Sequence, residues 1–180
     1  MTREEWLRLL KSKIKKDNLI KHSLAVEASM EELARYFSED EKLWSLAGLI
    51  HDLDYEETGG DPLKHGLETA KMIKGKVDER IIYAIKAHAG HSEPKSKMDI
   101  ALYAVDALTG LIVSACLVHP TKNLTQLDKD FIMHRFKEKR FAQGADREQI
   151  KACEKLGISL EKFIEITLKG MQKIHHDLGL

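Results

Sequence analysis

The sequence predicts an all-α helical bundle. Apolar residues recur at three- and four-residue spacing through almost every segment, and no stretch alternates apolar with polar residues over the length of a strand. Hydrophobic residues make up 43% of the 180 and charged ones 32%, with 3 prolines and 11 glycines. That composition supports an ordinary buried core and excludes a disordered or collagen-like chain.

Each element follows from its own signals. Thr2 and Glu5 form a capping-box pattern ahead of an amphipathic run through Trp6, Leu9, Leu10 and Ile14, which makes the first helix. Asn18 opens a longer second helix to about Phe37, with His22, Val26, Met30, Leu33 and Phe37 near one face. Asp40 caps a third, strongly apolar and central, whose Leu43, Leu46, Ala47 and Ile50 lead straight into His51-Asp52. Asp54 to Gly60 carries two glycines and a local acidic cluster and reads as a loop. Asp61-Pro62 restarts a helix as N-cap and first helical residue, carrying His65, Thr69 and Met72. Asp78 caps the next, through Ile81, Ile82 and Ile85 to His88, stopping near Gly90. Asp99 opens a long apolar helix with Asp106 in its middle, ended by Pro120. Beyond it the composition turns more polar, with helices near 127 to 139, 146 to 156 and 160 to 177. No linker, repeat or low-complexity segment interrupts the chain, so 1–180 reads as one domain: a core over about 18–118 and a C-terminal helical extension over about 121–180.

Lysine plus arginine and aspartate plus glutamate each total 29, so the formal net charge is zero. A nucleic-acid coat or membrane-surface protein carries a basic excess; neither nucleic acid nor membrane is therefore expected as a partner. Cys116 and Cys153 are the only thiols, too few for a disulfide framework, and read as small buried apolar residues. Acidic residues interrupt the opening Met1-Thr-Arg-Glu-Glu-Trp6 before any signal-peptide stretch develops, and the apolar run from Ile100 to Val118 contains Asp106 and reads as a buried helix. The expectation is a soluble, cytoplasmic protein; the oligomeric state is left open, with Trp6, Trp44 and the last apolar helix as candidate contact surfaces should it form a homo-oligomer.

Nine histidines stand out, by position more than by number. The doublet His51-Asp52 ends an apolar helix, His22 sits on a face otherwise made of Val26, Met30 and Leu33, and Asp106 lies within Leu102-Tyr-Ala-Val-Asp106-Ala-Leu. A carboxylate among such neighbours is costly unless it is paired, hydrogen-bonded or coordinating a metal. Imidazole together with carboxylate suits zinc and the transition metals, whereas calcium prefers oxygen ligands alone. One histidine on an apolar face is more often a hydrogen-bonded core residue; the ordered set is what points to a metal.

A histidine, then His-Asp, then a distant aspartate resembles the pattern of the HD-domain metal-dependent phosphohydrolase superfamily, an all-α fold. His22, His51, Asp52 and Asp106 match that order, over about residues 18 to 115. The resemblance implies that these four ligate one divalent metal. Members with a second metal carry extra histidines between the doublet and the last aspartate, with the doublet's Asp bridging. Lys64-His65-Gly66 and Ala87-His88-Ala-Gly-His91 occupy that interval, so His65, His88 and His91 become candidates for the second ion. This is similar to bacterial HD-domain hydrolases of diadenosine polyphosphates and cyclic dinucleotides, although the Gly-Tyr-Pro motif of the latter is missing. The implied cofactor is one or two divalent ions, Fe, Mn, Ni, Co, Zn or Mg. The implied reaction is cleavage of a phosphoester or phosphoanhydride of a small nucleotide-like substrate by metal-activated water, with His51, Asp52, His65 and His88 as the catalytic set. A single-metal 5′-nucleotidase-like hydrolase, in which His65 and His88 touch the phosphate, and a catalytically silent metal- or nucleotide-binding module are the alternatives.

The one local basic run, Arg135-Phe-Lys137-Glu-Lys139-Arg140, sits near Lys122 and Arg147 in the sequence. Lys122, Arg135, Arg140 and Arg147 are therefore candidates to hold a substrate phosphate, against the alternative of a solvated helix face. Asp54, Glu56, Glu57 and Asp61 read as a solvated loop rim, with the alternative that one of them orients water or a ligand, and Glu68, three residues after His65, could support it from the same face. His119, His134, His175 and His176 read as surface residues.

Overall fold

Capping side chains set where most of the helices begin. The computed structural model describes residues 1–180 and contains helices only. Thr2 and Glu5 form a reciprocal capping box on α1 (Arg3–Lys13). Asp40 accepts the Leu43 amide at the start of α3 (Glu41–Ile50), and Asp78 accepts the Arg80 amide at the start of α6 (Glu79–His88). Ser96 and Asp99 box the start of α7 (Lys97–Val118), so Asp99 is the third helical residue and not the first. Asp128, Asp146 and Ser159 do the same work for α8 (Lys129–Lys137), α9 (Arg147–Lys151) and α10 (Leu160–Lys173). Each such cap satisfies a backbone donor that the first helical turn leaves free.

α2 (Asp17–Phe37) is the hub, packed against α3 on one side and α10 on another, with α7 beside it. The approach of α3 depends on Gly48: a Cβ there would lie 2.9 Å from the backbone of Glu27 and Val26. α7 has the length and apolarity of a membrane span, but Asp99 and Thr109 are buried in it and it is enclosed by α2, α6, α8 and α9. One continuous core runs from Trp6 through Met30, Ile50, Leu108 and Phe163 to Leu178, so the C-terminal helices share the core of the rest. Glu32 fastens them: this buried carboxylate pairs with Lys169 at 3.1 Å, with Lys173 and with Arg35.

The structure departs from the sequence expectations where local signals compete. The expected loop at 54–60 contains a single helical turn, α4 (Tyr55–Thr58), closed by Gly59 in the left-handed region. Asp61-Pro62 does not start a helix. The Asp61 carboxylate accepts the Leu63 amide and its carbonyl accepts those of Lys64 and His65, giving a run of turns, and α5 (Leu67–Ile73) begins only after Gly66 at φ 77°. The helix expected at 146–156 tightens into a 3₁₀ turn over Ala152–Leu156, and that expected at 160–177 breaks at Ile174 before the short α11 (His175–Leu178).

Candidate metal centre

Six side chains converge where α2, α3, α6, α7 and the turn before α5 meet. α2 supplies His22, the last turn of α3 runs into His51 and Asp52, the turn supplies His65, α6 ends on His88, and α7 supplies Asp106. Asp52 is central. Its Oδ1 lies 3.3 Å from His51 Nε2 and 3.4 Å from Nε2 of both His65 and His88, and its Oδ2 lies 3.7 Å from His22 Nε2. Asp106 Oδ1 lies 2.9 Å from His22 Nε2 and 3.6 Å from His51 Nε2. Two donor sets form, His22–His51–Asp52 and Asp52–His65–His88, each with its atoms within 4.8 Å of one another, and Asp52 is common to both.

The orientation of the rings decides what the cluster can do. His51 donates its Nδ1–H to Gly48 O at 2.7 Å, His88 to Ile85 O at 2.5 Å, and His65 to Asp54 Oδ1 at 2.8 Å. His22 Nδ1 faces Thr109 Oγ1 at 3.3 Å, a hydroxyl that spends its own proton on Asp106 O. With Nδ1–H used outward in every ring, the Nε2 lone pairs turn inward, the tautomer that binds a cation. His88 Nε2 is buried and has no hydrogen-bond partner, a cost that a cation between it and Asp52 removes. The residues present therefore fit a divalent metal, with imidazole and carboxylate donors of the kind zinc and transition metals accept.

The electrostatics agree. Burial works against a charged His51, but Asp52 and Asp106 outweigh it and raise the pKa to about 9. Burial likewise opposes ionisation of Asp52, and His51 and then His88 overcome it, lowering the carboxyl to about 2. Asp106 is held well below the usual carboxylate range by His22 and His51 despite its burial. The pocket thus attracts cations even before a metal is considered, with protons as the competitors.

The second donor set is spaced by backbone. Gly66 brings the His65 turn against the end of α6, where a Cβ would come within 2.5 Å of Ala89 Cβ and 3.2 Å of Ile85 O. His91 does not join the cluster: the helix ends at His88, Gly90 turns the chain at φ 82°, and His91 Nε2 donates to His65 O at 2.9 Å, holding the same turn from outside.

The centre opens onto a cavity of about 430 Å³, walled by Leu19 and Tyr55, by α7 at Ala107, Gly110 and Ser114, and by the segment from Ala142 to Gln149. None of the expected phosphate-binding cations lines it. Arg147 is spent on backbone carbonyls of residues 135–145, Arg135 pairs with Glu138 at 2.9 Å, and Lys122 and Arg140 are exposed elsewhere. Glu68 pairs with Lys71 and not with His65. Sequence reasoning misplaced one polar group of the site, Asp54, and passed over another, Gln149. Asp54, expected on a solvated rim, is fully buried and accepts both His65 Nδ1–H and the Thr69 amide. Gln149 donates to Tyr103 O at 2.7 Å and to Asp106 Oδ2 at 3.3 Å. Neither carries a spacing that marks it in the sequence. His119, His134, His175 and His176 take no part in the centre.

Comparison with known proteins locates this arrangement in a wider group. A family model described as HD domain matches residues 19–111. Ribonuclease Y of Bacillus thuringiensis (strain Al Hakam) is 33% identical over 137 residues, 73% of this chain and 26% of that protein. Ribonuclease Y of Desulfotalea psychrophila is 39% identical over 97 residues, 52% of this chain and 18% of that protein. The chain spans between about a fifth and a quarter of the length of these curated relatives. No solved structure gives a significant match.

Proposed function

The chain belongs to the HD domain family, and from that premise we propose that it is a metal-dependent phosphohydrolase, cleaving a phosphoester or phosphoanhydride of a small nucleotide-like substrate with activated water. One observation carries the reading: four imidazoles turn Nε2 inward on Asp52 and Asp106 while their Nδ1 atoms are engaged outward. When bound, divalent ions supply positive charge for phosphoryl oxygens and lower the pKa of a water to near neutrality. The chain's own groups do the rest. His22, His51, Asp52 and Asp106 would hold one ion and Asp52, His65 and His88 the other, Asp52 being common to both donor sets. The carboxylates stay ionised, and the outward hydrogen bonds fix each imidazole against rotation. A cavity of about 430 Å³ is of the size that takes a small organic ligand. Its lack of lining lysine or arginine leaves the phosphate to be met at the centre itself.

An RNA phosphodiester is the second reading, favoured by the name Ribonuclease Y that the relatives carry. The neutral net charge favours a small molecule over a polyanion.

The test is elemental analysis of anaerobically purified protein beside His65→Ala and His88→Ala, followed by phosphate release from a nucleotide panel and cleavage of a labelled RNA. Two ions per chain falling towards one in the variants, with nucleotide turnover, is the expected result. One ion in all three proteins points to a single-metal hydrolase. RNA cleavage without nucleotide turnover moves the assignment to the second reading, and binding without turnover of either makes the domain a silent module.

A further inference from the structure

The segment between α8 and the 3₁₀ turn lies outside the matched family region, which ends at residue 111, yet it reaches the metal centre. Gln149 is the point of contact. Its side-chain amide donates to Tyr103 O at 2.7 Å and Asp106 Oδ2 at 3.3 Å; both partners are acceptors, so the NH₂ and not the carbonyl faces them. Asp106 therefore has its two oxygens divided. Oδ1 faces His22 and His51, and Oδ2 is committed to Gln149.

What holds Gln149 in place is two residues away. Arg147 donates Nη1 to Ala142 O at 2.8 Å and Ala145 O at 2.7 Å, Nη2 to Phe141 O at 2.5 Å, and Nε to Phe136 O at 3.2 Å. A planar guanidinium with five donors can gather several carbonyls at once; an ammonium cannot do so in the same geometry. The loop it gathers is not relaxed, since Ala142 sits at φ 44°, a left-handed conformation that L-alanine adopts only when surroundings impose it. Ala142, Gly144 and Ala145 of this loop form one wall of the cavity. The expected phosphate ligand is thus a brace, and the loop it braces leads directly into α9, which carries Gln149.

We propose that Gln149 is a positioning residue for the metal centre, reserving Asp106 Oδ1 as the single metal donor of that carboxylate, and that Arg147 acts through it by tying the loop before α9 to the end of α8. The inference rests on the metal reading given above. It makes the C-terminal helices part of the centre, and it means that a domain cut at the end of the family match lacks a group its own ligand depends on.

Mn²⁺ alone is the probe, titrated into the full chain and followed by the electron paramagnetic resonance of free Mn²⁺, with Co²⁺ absorption as a second readout. Gln149→Leu should weaken one Mn²⁺ site about tenfold, the lower end of what loss of a ligand's hydrogen-bond partner costs. It should leave the other site and the helical circular dichroism unchanged. The Co²⁺ d–d bands should lose intensity as Asp106 Oδ2 becomes free to coordinate. Arg147→Lys should produce the same selective loss, and the double variant no more than either single one, because the two act through one contact. If Arg147→Lys does not fold, Gln149→Leu decides alone. Gln149→Leu with both Mn²⁺ affinities and the Co²⁺ spectrum unchanged overturns the proposal while leaving the metal reading intact. A wild type that takes up no Mn²⁺ removes the metal reading and this inference with it.

Discussion

Replacing Asp54 by Asn changes one buried atom and should disable half of the metal centre. In the native protein Oδ1 accepts His65 Nδ1–H at 2.8 Å and Oδ2 accepts the Thr69 amide at 2.8 Å, both in full burial. An asparagine there has one acceptor for two donors. If its oxygen serves Thr69, its NH₂ meets His65 and forces Nδ1 to become the acceptor, which moves the ring proton to Nε2, the atom that faces Asp52 Oδ1 at 3.4 Å. The inward lone pair is then gone. If the amide flips, the NH₂ opposes the Thr69 amide, leaving a buried donor unpaired at about 1–3 kcal/mol. The first arrangement weakens the site of His65 and His88 by about 10–100-fold, which is about 1.4–2.8 kcal/mol, whereas the flipped one keeps the His65 tautomer and its cost falls on fold stability. The site of His22, His51 and Asp106 shares no atom with Asp54 and should keep its affinity. Mn²⁺ titration resolves the two: wild type should show two sites, and Asp54→Asn one tight site and one displaced by one to two decades. Two sites of native affinity together with an unchanged melting temperature in Asp54→Asn would refute the reasoning, since each arrangement of the amide costs either the His65 site or the Thr69 hydrogen bond.

Three further outcomes follow from the same geometry. With His51 raised from 6.5 to about 9 in the metal-free protein, metal must displace a proton below that pH, so Mn²⁺ affinity should climb by up to about tenfold per pH unit per proton from pH 7 and level off above 9. The contribution of His51 to the stability of the metal-free fold should correspondingly be full below 6.5 and be lost as pH rises through 9; a flat affinity profile from pH 7 to 9.5 would contradict both. Gly48→Ala places a Cβ 2.9 Å from the α2 backbone and should cost about 1–3 kcal/mol, visible as a fall of a few degrees in a circular-dichroism melt; no change would mean that α3 can part from α2 without penalty. Cys116 and Cys153 are fully buried, and burial pushes the Cys153 thiol up to about 12. Neither should react with a thiol reagent in native buffer and both should in urea, so rapid native labelling would place one of them nearer the surface.

What the sequence made legible was whatever depends on periodicity and on residue type at a fixed position. The spacing of Leu43, Leu46, Ala47 and Ile50 placed α3, and a carboxylate amid Val105 and Leu108 could only be a compensated group, which is how Asp106 announced itself. What stayed hidden depends on the direction of side chains and on partners that are not residues of a type. Asp54 stands two positions after Asp52, in a stretch whose polarity reads as solvated, and only the fold shows His51 to Asp54 buried together. Arg147 looked like a phosphate ligand because its partners, backbone carbonyls, leave no mark in a sequence. Gln149 lies 43 residues from Asp106 and carries no charge to suggest a pairing. His91 failed for a local reason: three residues after His88 means a shared face only while a helix lasts, and this one stops first.

The contact of Gly66 with Ala89 has a bearing on engineering. Because the Gly66 main chain passes where a Cβ would meet Ala89 Cβ and the Ile85 carbonyl, the span between His65 and His88 behaves like a fixed calliper whose gauge depends on residue 66 having no side chain. Exchanging the histidines for other donors would alter which elements are attracted while leaving the opening the same width. A programme seeking to accommodate a larger ion would therefore gain more from varying residues 66 and 89, where the gauge is set, than from recruiting new ligands at its tips.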